Sequence, residues 1–220
     1  MRGGNDTTTR HTGAAGGYRL CGRLDFATDW RFGTGVLLIT PFLGLLLLVA
    51  LDGLAGWVRP AAAGGPAPVG APGDIVGGIV AGLLLVPPLH ECVHCLALVL
   101  CARARPRFGR RGGYLFVAAP GIYLHRRQYL IVSLAPLGLI TALGMLLLPG
   151  LSAALLPGLL LALTANVVGA LGDLAATLWV LRWPAGVRVQ ALGAVAEVYR
   201  PLAATTPRYD RPDALGNRSY

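Results

Sequence analysis

Leu84-Leu85-Val86-Pro87-Pro88-Leu89-His90-Glu91-Cys92-Val93-His94-Cys95-Leu96 is the centre of an apolar run from about residue 75 to 102. The run is long enough to cross a bilayer, for which about 20 apolar residues suffice. Helical residues four apart share a face, so His90 and His94 can aim imidazole nitrogens at one divalent ion. Glu91 sits about 100° around the helix, within reach of a water beside that ion. The chain has four His and two Glu. By composition alone an H-E-x-x-H match would arise roughly six times in ten thousand such chains. Ionisable groups inside an apolar span are costly and mark a functional site by default. The bland alternative, two core histidines and a paired Glu, would bury three polar groups within five residues without a ligand.

Composition assigns the rest of the chain to the same class. The sequence is 55% hydrophobic and 13% charged, with a mean hydropathy of +0.61. We therefore expect an all-α integral membrane protein of about four transmembrane helices. Net charge is +9, carried by Arg without any Lys. We read that bias as the mark of a GC-rich genome, not of a mechanism, and expect a bacterial protein. The Arg clusters flank apolar runs, which reads as topology signals and headgroup contacts and not as a nucleic-acid surface. Cys21, Cys92, Cys95 and Cys101 read as reduced, buried small hydrophobes, not as a disulfide framework.

Spans are expected over about residues 35–58, 75–102, 129–148 and 151–181, within a membrane domain covering residues 33–183. Residues 1–32 read as a disordered tail and 59–73 as an Ala/Pro/Gly-rich flexible loop. The fourth run carries Pro157 and several glycines, so it suits one long helix or a broken one. Pro87-Pro88 suits a packing kink or a gap that admits water. Residues 107–124 mix β-branched and aromatic residues with glycines and predict a small β-hairpin. Residues 184–220 form a second polar tail. Within it Val187–Leu192 and Ala194–Tyr199 flank Gly193 and suit a hairpin or an interfacial helix equally.

Arginine placement orients the spans. The amino-terminal tail holds five Arg, the 103–127 loop seven and the segment from Arg182 onward six; the 59–73 loop holds only Arg59. The positive-inside rule places both termini and the 103–127 loop in the cytoplasm of a multi-pass plasma-membrane protein.

Catalytic zinc usually takes three protein ligands and leaves one position open. Besides Glu91, one acidic residue lies well inside a span: Asp173. At 1.5 Å per residue its depth nearly equals that of the histidine pair. A helix-packing hydrogen bond, or a helix start near Gly172, would also explain Asp173. His125 is the remaining candidate ligand, beside Arg126 and Arg127.

An H-E-x-x-H helix followed two spans later by an intramembrane Asp resembles the site-2 protease clan. Within it the chain looks like the small four-span family of zincin-type membrane peptidases. The matching pieces are His90-Glu91-Cys92-Val93-His94, Arg126-Arg127-Gln128-Tyr129-Leu130 leading to Ala135-Pro136, and Asn166-Val-Val-Gly169-Ala-Leu-Gly172-Asp173. They cover about residues 75–182. The resemblance implies Zn2+ on His90, His94 and Asp173, Glu91 as general base, and Asn166 near the substrate or oxyanion. It departs from the better-known members, whose Asp has an Asn-Pro-Asp-Gly-like setting; here Ala-Leu-Gly precedes Asp173. The expected partners are the lipid bilayer and a membrane protein or peptide substrate held extended along the hairpin edge. The rival classes are a non-catalytic metal-binding membrane protein and a metal transporter or sensor. A transporter should carry polar residues through the depth of several spans, whereas here they cluster at one depth.

Reporter fusions at Gly65 and Gly150 should read outside, and fusions at Gly112 and Asn217 inside. One inverted member of either pair would sink the four-span, termini-in arrangement.

Overall fold

The computed structural model describes residues 17–26, 28, 30–58, 72–111, 114–152 and 154–202. Residues 59–71 of the expected loop, and 1–16 and 203–220 of the expected tails, lie outside them.

Apolar runs become helices because a helix satisfies its own backbone polar groups. The helices are α1 (Trp30–Val58), α2 (Pro72–Ala102), α3 (Arg126–Leu147), α4 (Leu156–Gly169) and α5 (Leu171–Leu181). Among the described residues, four stretches are long and apolar enough to cross a membrane: Thr34–Val58, Leu84–Ala102, Arg126–Gly150 and Leu156–Leu181. The last joins α4 to α5 through a break at Ala170, whose φ/ψ of −75°/0° departs from the helix. Phe42 and Trp57 of α1 turn 78% and 82% of their surface outward, as lipid-facing side chains would.

Small residues let α2 and α4 approach closely. A Cβ on Gly78 would come 2.7 Å from the Gly158 Cα, and one turn on, Gly82 faces Ala162. Such small-xxx-small pairing is how apolar helices gain contact when lipid offers no hydrophobic incentive.

The strands are β1 (Tyr18–Asp25), β2 (Arg107–Arg111), β3 (Tyr114–Ala118), β4 (Leu124–His125), β5 (Arg188–Ala191) and β6 (Val195–Pro201). β2 and β3 form the hairpin expected after the second span, Arg107 facing Ala118 and Arg111 facing Tyr114. The other four make an antiparallel sheet in the order β1-β6-β5-β4. The strands lie before α1, between α2 and α3 and after α5, and the pairing of β1, β6, β5 and β4 gathers those helix ends at one end of the assembly. The strands at that end carry Arg19, Arg23, Arg107, Arg110, Arg111, Arg188 and Arg200.

The sheet corrects the all-α expectation, and β1 corrects the disordered reading of residues 18–25. Two features hid β1. A bulge between Leu20 and Gly22 shifts its register against β6, which breaks the period-two alternation. Gly22 also lacks a side chain, because its Cβ would sit 2.4 Å from the Trp183 ring. For β5 and β6 the hairpin alternative holds. Gly193 between them has φ +74°, a conformation glycine adopts freely.

Helices and sheet share one core. Leu98 of α2, Val132 of α3 and Val180 of α5 pack with Leu124, Val189 and Val198 of the strands. Gln128 ties two ends together: its Oε1 accepts the His125 N–H at 2.9 Å, and its Nε2 donates to the Cys101 carbonyl at 2.7 Å. Both backbone groups lie at helix ends that need outside partners.

Candidate metal centre

α2 presents His90 and His94 on one face, as four-residue spacing requires. Their rings lie 4.9 Å apart, edge to face. α5 brings Asp173 opposite them. Its Oδ2 lies 3.0 Å from His90 Nε2 and 3.3 Å from His94 Nε2. The three ligand atoms all fall within 4.8 Å of one another. His90 is 7% exposed, and the His94 and Asp173 side chains are mostly covered.

The far side of each ring fixes its proton. His90 Nδ1 lies 3.1 Å from Asn166 Oδ1, and His94 Nδ1 lies 2.8 Å from the Val132 carbonyl oxygen. The Asn166 amide is oriented by its other end, where Nδ2 donates to the Pro136 carbonyl and to Thr141 Oγ1, each at 3.4 Å. Both Nδ1 atoms therefore face acceptors and carry the hydrogen. In the neutral rings each Nε2 is then a bare lone pair. Two lone pairs and a carboxylate oxygen converge with no donor among them, an arrangement that a cation satisfies. The spacing fits as well. Ligands about 2.0–2.1 Å from a tetrahedral zinc stand about 3.4 Å from one another, close to the 3.0 and 3.3 Å found.

Asp173 is held from behind. Ser133 Oγ donates to the Asp173 carbonyl at 3.1 Å, and Thr177 Oγ1 donates to Ser133 Oγ at 3.2 Å. This polar pair pins the first turn of α5 against α3.

A cavity of about 680 Å³ opens beside these groups. Glu91, Pro87, Pro88 and Tyr129 line it with the three candidate ligands, and Phe116 and Gly193 border it from the strands. α2 runs unbroken through Pro87-Pro88, so the pair removes two backbone donors beside the cavity without ending the helix. The Val117 backbone of β3 hydrogen-bonds the Glu91 carboxylate. One strand of the hairpin thus reaches the residue read as general base.

The expected residues separate here. His90, His94 and Asp173 come together, with Glu91 on the same cavity. Asn166 does not reach the cavity: it is fully buried behind His90 with both ends of its amide engaged. His125 sits exposed on β4, outside the cluster. All four cysteines are free, and Cys92 is exposed on α2 instead of buried. Sequence reading missed Ser133, Thr177 and the Val132 carbonyl. A backbone acceptor leaves no residue-type signal, though a proline four residues onward does.

Residues 83–188, a little under half of the chain, match the family described as putative zincin peptidase. The matched stretch contains His90, Glu91, His94 and Asp173, and it points to a zinc peptidase. Comparisons with curated proteins and with solved structures gave no match.

Purified protein should carry about one zinc, and Asp173→Ala should lose most of it. Elemental analysis of both proteins decides. Equal zinc in the variant would make Asp173 a packing residue.

Proposed function

We propose that the chain is a zinc-dependent peptidase embedded in the bilayer that hydrolyses peptide bonds of membrane or membrane-proximal protein segments, as site-2 proteases do. The observation that carries this reading is the convergence of His90 Nε2, His94 Nε2 and Asp173 Oδ2 on a cavity that also holds Glu91. His90, Glu91, His94 and Asp173 gather at one depth, which favours a reaction site over a conduction path. With the arginine-bearing end in the cytoplasm, the cavity opens toward the cytoplasmic leaflet.

Zinc held by the three ligands would polarise the scissile carbonyl and acidify a nearby water. The work of this chain's residues follows from their positions. Glu91 accepts a proton from the attacking water and later delivers it to the leaving amine. The Val117 hydrogen bond orients its carboxylate. Asn166 acts through His90, holding the ring with its Nε2 toward the ion, in place of the oxyanion role that the resemblance implies.

A helical substrate has its carbonyls occupied, so it must be extended before it is cut. β3 offers a place for the extended form. Counting from the two-residue turn, Arg111–Tyr114, Gly109–Phe116 and Arg107–Ala118 are the pairs that exchange ladder bonds, so Leu115 and Val117 turn their backbone groups to the outer edge. The Ala119 N–H, two residues on, meets the Ala191 carbonyl on that same edge at 2.8 Å. The Leu115 N–H and C=O remain for a substrate strand, which would gain affinity with little demand on its sequence.

Glu91→Gln should keep its zinc and lose about 10²–10⁴-fold in cleavage rate, the usual share of a general base. A near wild-type rate with a confirmed substrate would end the general-base assignment.

Leu115→Pro removes the outer-edge donor and leaves the ladder intact, whereas Phe116→Pro removes a ladder donor. Cleavage should fall at least about tenfold in both, with zinc content held. Full activity in Leu115→Pro would mean the substrate strand lies elsewhere.

A further inference from the structure

Pro136 lies in the interior of α3. A proline has no N–H, so the carbonyl four residues earlier loses its helix partner, and the ring pushes that carbonyl off the axis. Four residues before Pro136 is Val132. Its carbonyl is the one that accepts the His94 Nδ1–H at 2.8 Å. The Pro136 carbonyl in turn accepts the Asn166 amide, whose Oδ1 meets His90 Nδ1. The pyrrolidine itself is fully buried.

We infer that Pro136 is a positioning residue for the metal centre, freeing one acceptor for His94 and anchoring through Asn166 the acceptor for His90. The missing N–H on α3 sets the tautomer and aim of His94, and the carbonyl of the same residue holds the amide that faces His90. The inference rests on zinc binding at His90, His94 and Asp173. An ordinary residue at 136 would return an N–H to the Val132 carbonyl. His94 Nδ1–H would then share that acceptor or turn from it, and its Nε2 would drift off the common point. Removing such an outer partner of a metal-bound histidine typically weakens metal binding about 10–100-fold.

The test uses the purified full-length chain and two variants, Pro136→Ala and Pro136→Val. The second fills most of the volume of the ring. Zinc affinity is measured by competition with a chromophoric chelator, and Co2+ is bound in place of zinc to record its visible ligand-field bands. Thermal unfolding of the metal-free proteins is followed in parallel, with Pro41→Ala in α1 as a remote helix-proline control. Both Pro136 variants should bind zinc at least about tenfold more weakly, shift the Co2+ bands, and unfold no earlier than wild type, since the helix regains a bond. Pro41→Ala should match wild type in affinity and spectrum. Wild-type affinity and spectrum in both Pro136 variants would overturn the inference. So would weakening in Pro136→Ala alone, or weakening that tracks early unfolding, because the ring would then act only through packing. A wild-type chain that binds no zinc would overturn the reading of the site itself, an outcome separate from these.

Discussion

A ring nitrogen that keeps its hydrogen inside an apolar assembly must give it to an acceptor, and this requirement organises the centre of the molecule. His90 and His94 can offer bare Nε2 atoms only while their Nδ1 hydrogens are received elsewhere. Asn166 on α4 and the Val132 carbonyl on α3 receive them. Asp173 reaches the same point because Ser133 and Thr177 fix the first turn of α5. The glycine contacts of α2 with α4 therefore matter beyond packing: they set the distance over which Asn166 meets His90. Pairing of polar groups in this way is what keeps their burial from being prohibitive.

The part of the site that lies in side-chain types at helical spacing was legible in the sequence. His90, Glu91 and His94 follow from one turn of helix, and Asp173 from a count of residues to the end of a span. Asn166 was legible as important and not in its role, because seven residues of separation do not say which side of a ligand an amide will occupy. Its full burial and its Nδ2 contacts turn it toward the ring of His90. The helices were equally plain, and of the two forms left open for the fourth run the broken one is found, with its break at Ala170. The sheet was not. β1 shifts register within its own length, and β4 is two residues long. Such strands are defined by their neighbours, and their period carries too few residues to read.

The strands are not an appendage to the helices. Leu124, Val189 and Val198 enter the same core as Leu98 and Val180, and β3 meets Glu91 through Val117. The Phe116 ring lies against Gly109 and Gly193, where a Cβ would come within 2.3 and 2.4 Å of it. One aromatic side chain thus joins the hairpin after the second span to the turn after the last one. The cavity wall is in this way built from segments far apart in the chain, while α2 lines it from Gly82 to Leu98.

The strand order has a consequence for how the molecule comes into being. β6 lies between β1 and β5, so Tyr18 near the start of the described chain waits for Pro201 near its end. During synthesis β1 leaves the ribosome long before the strand that pairs with it, and all four apolar stretches intervene. The histidines, the aspartate and the base can assemble once α2 and α5 have packed together. The wall made by Gly193 and Ala194 arrives last, and its closing sets Ala194 against Phe26, whose N–H donates to the Ala194 carbonyl at 3.0 Å. A chain with its helices packed and its sheet unpaired would have His90, His94 and Asp173 gathered and its cavity unwalled. Completion of the sheet, a slow pairing of distant segments, is the step that turns the assembly into a finished enclosure.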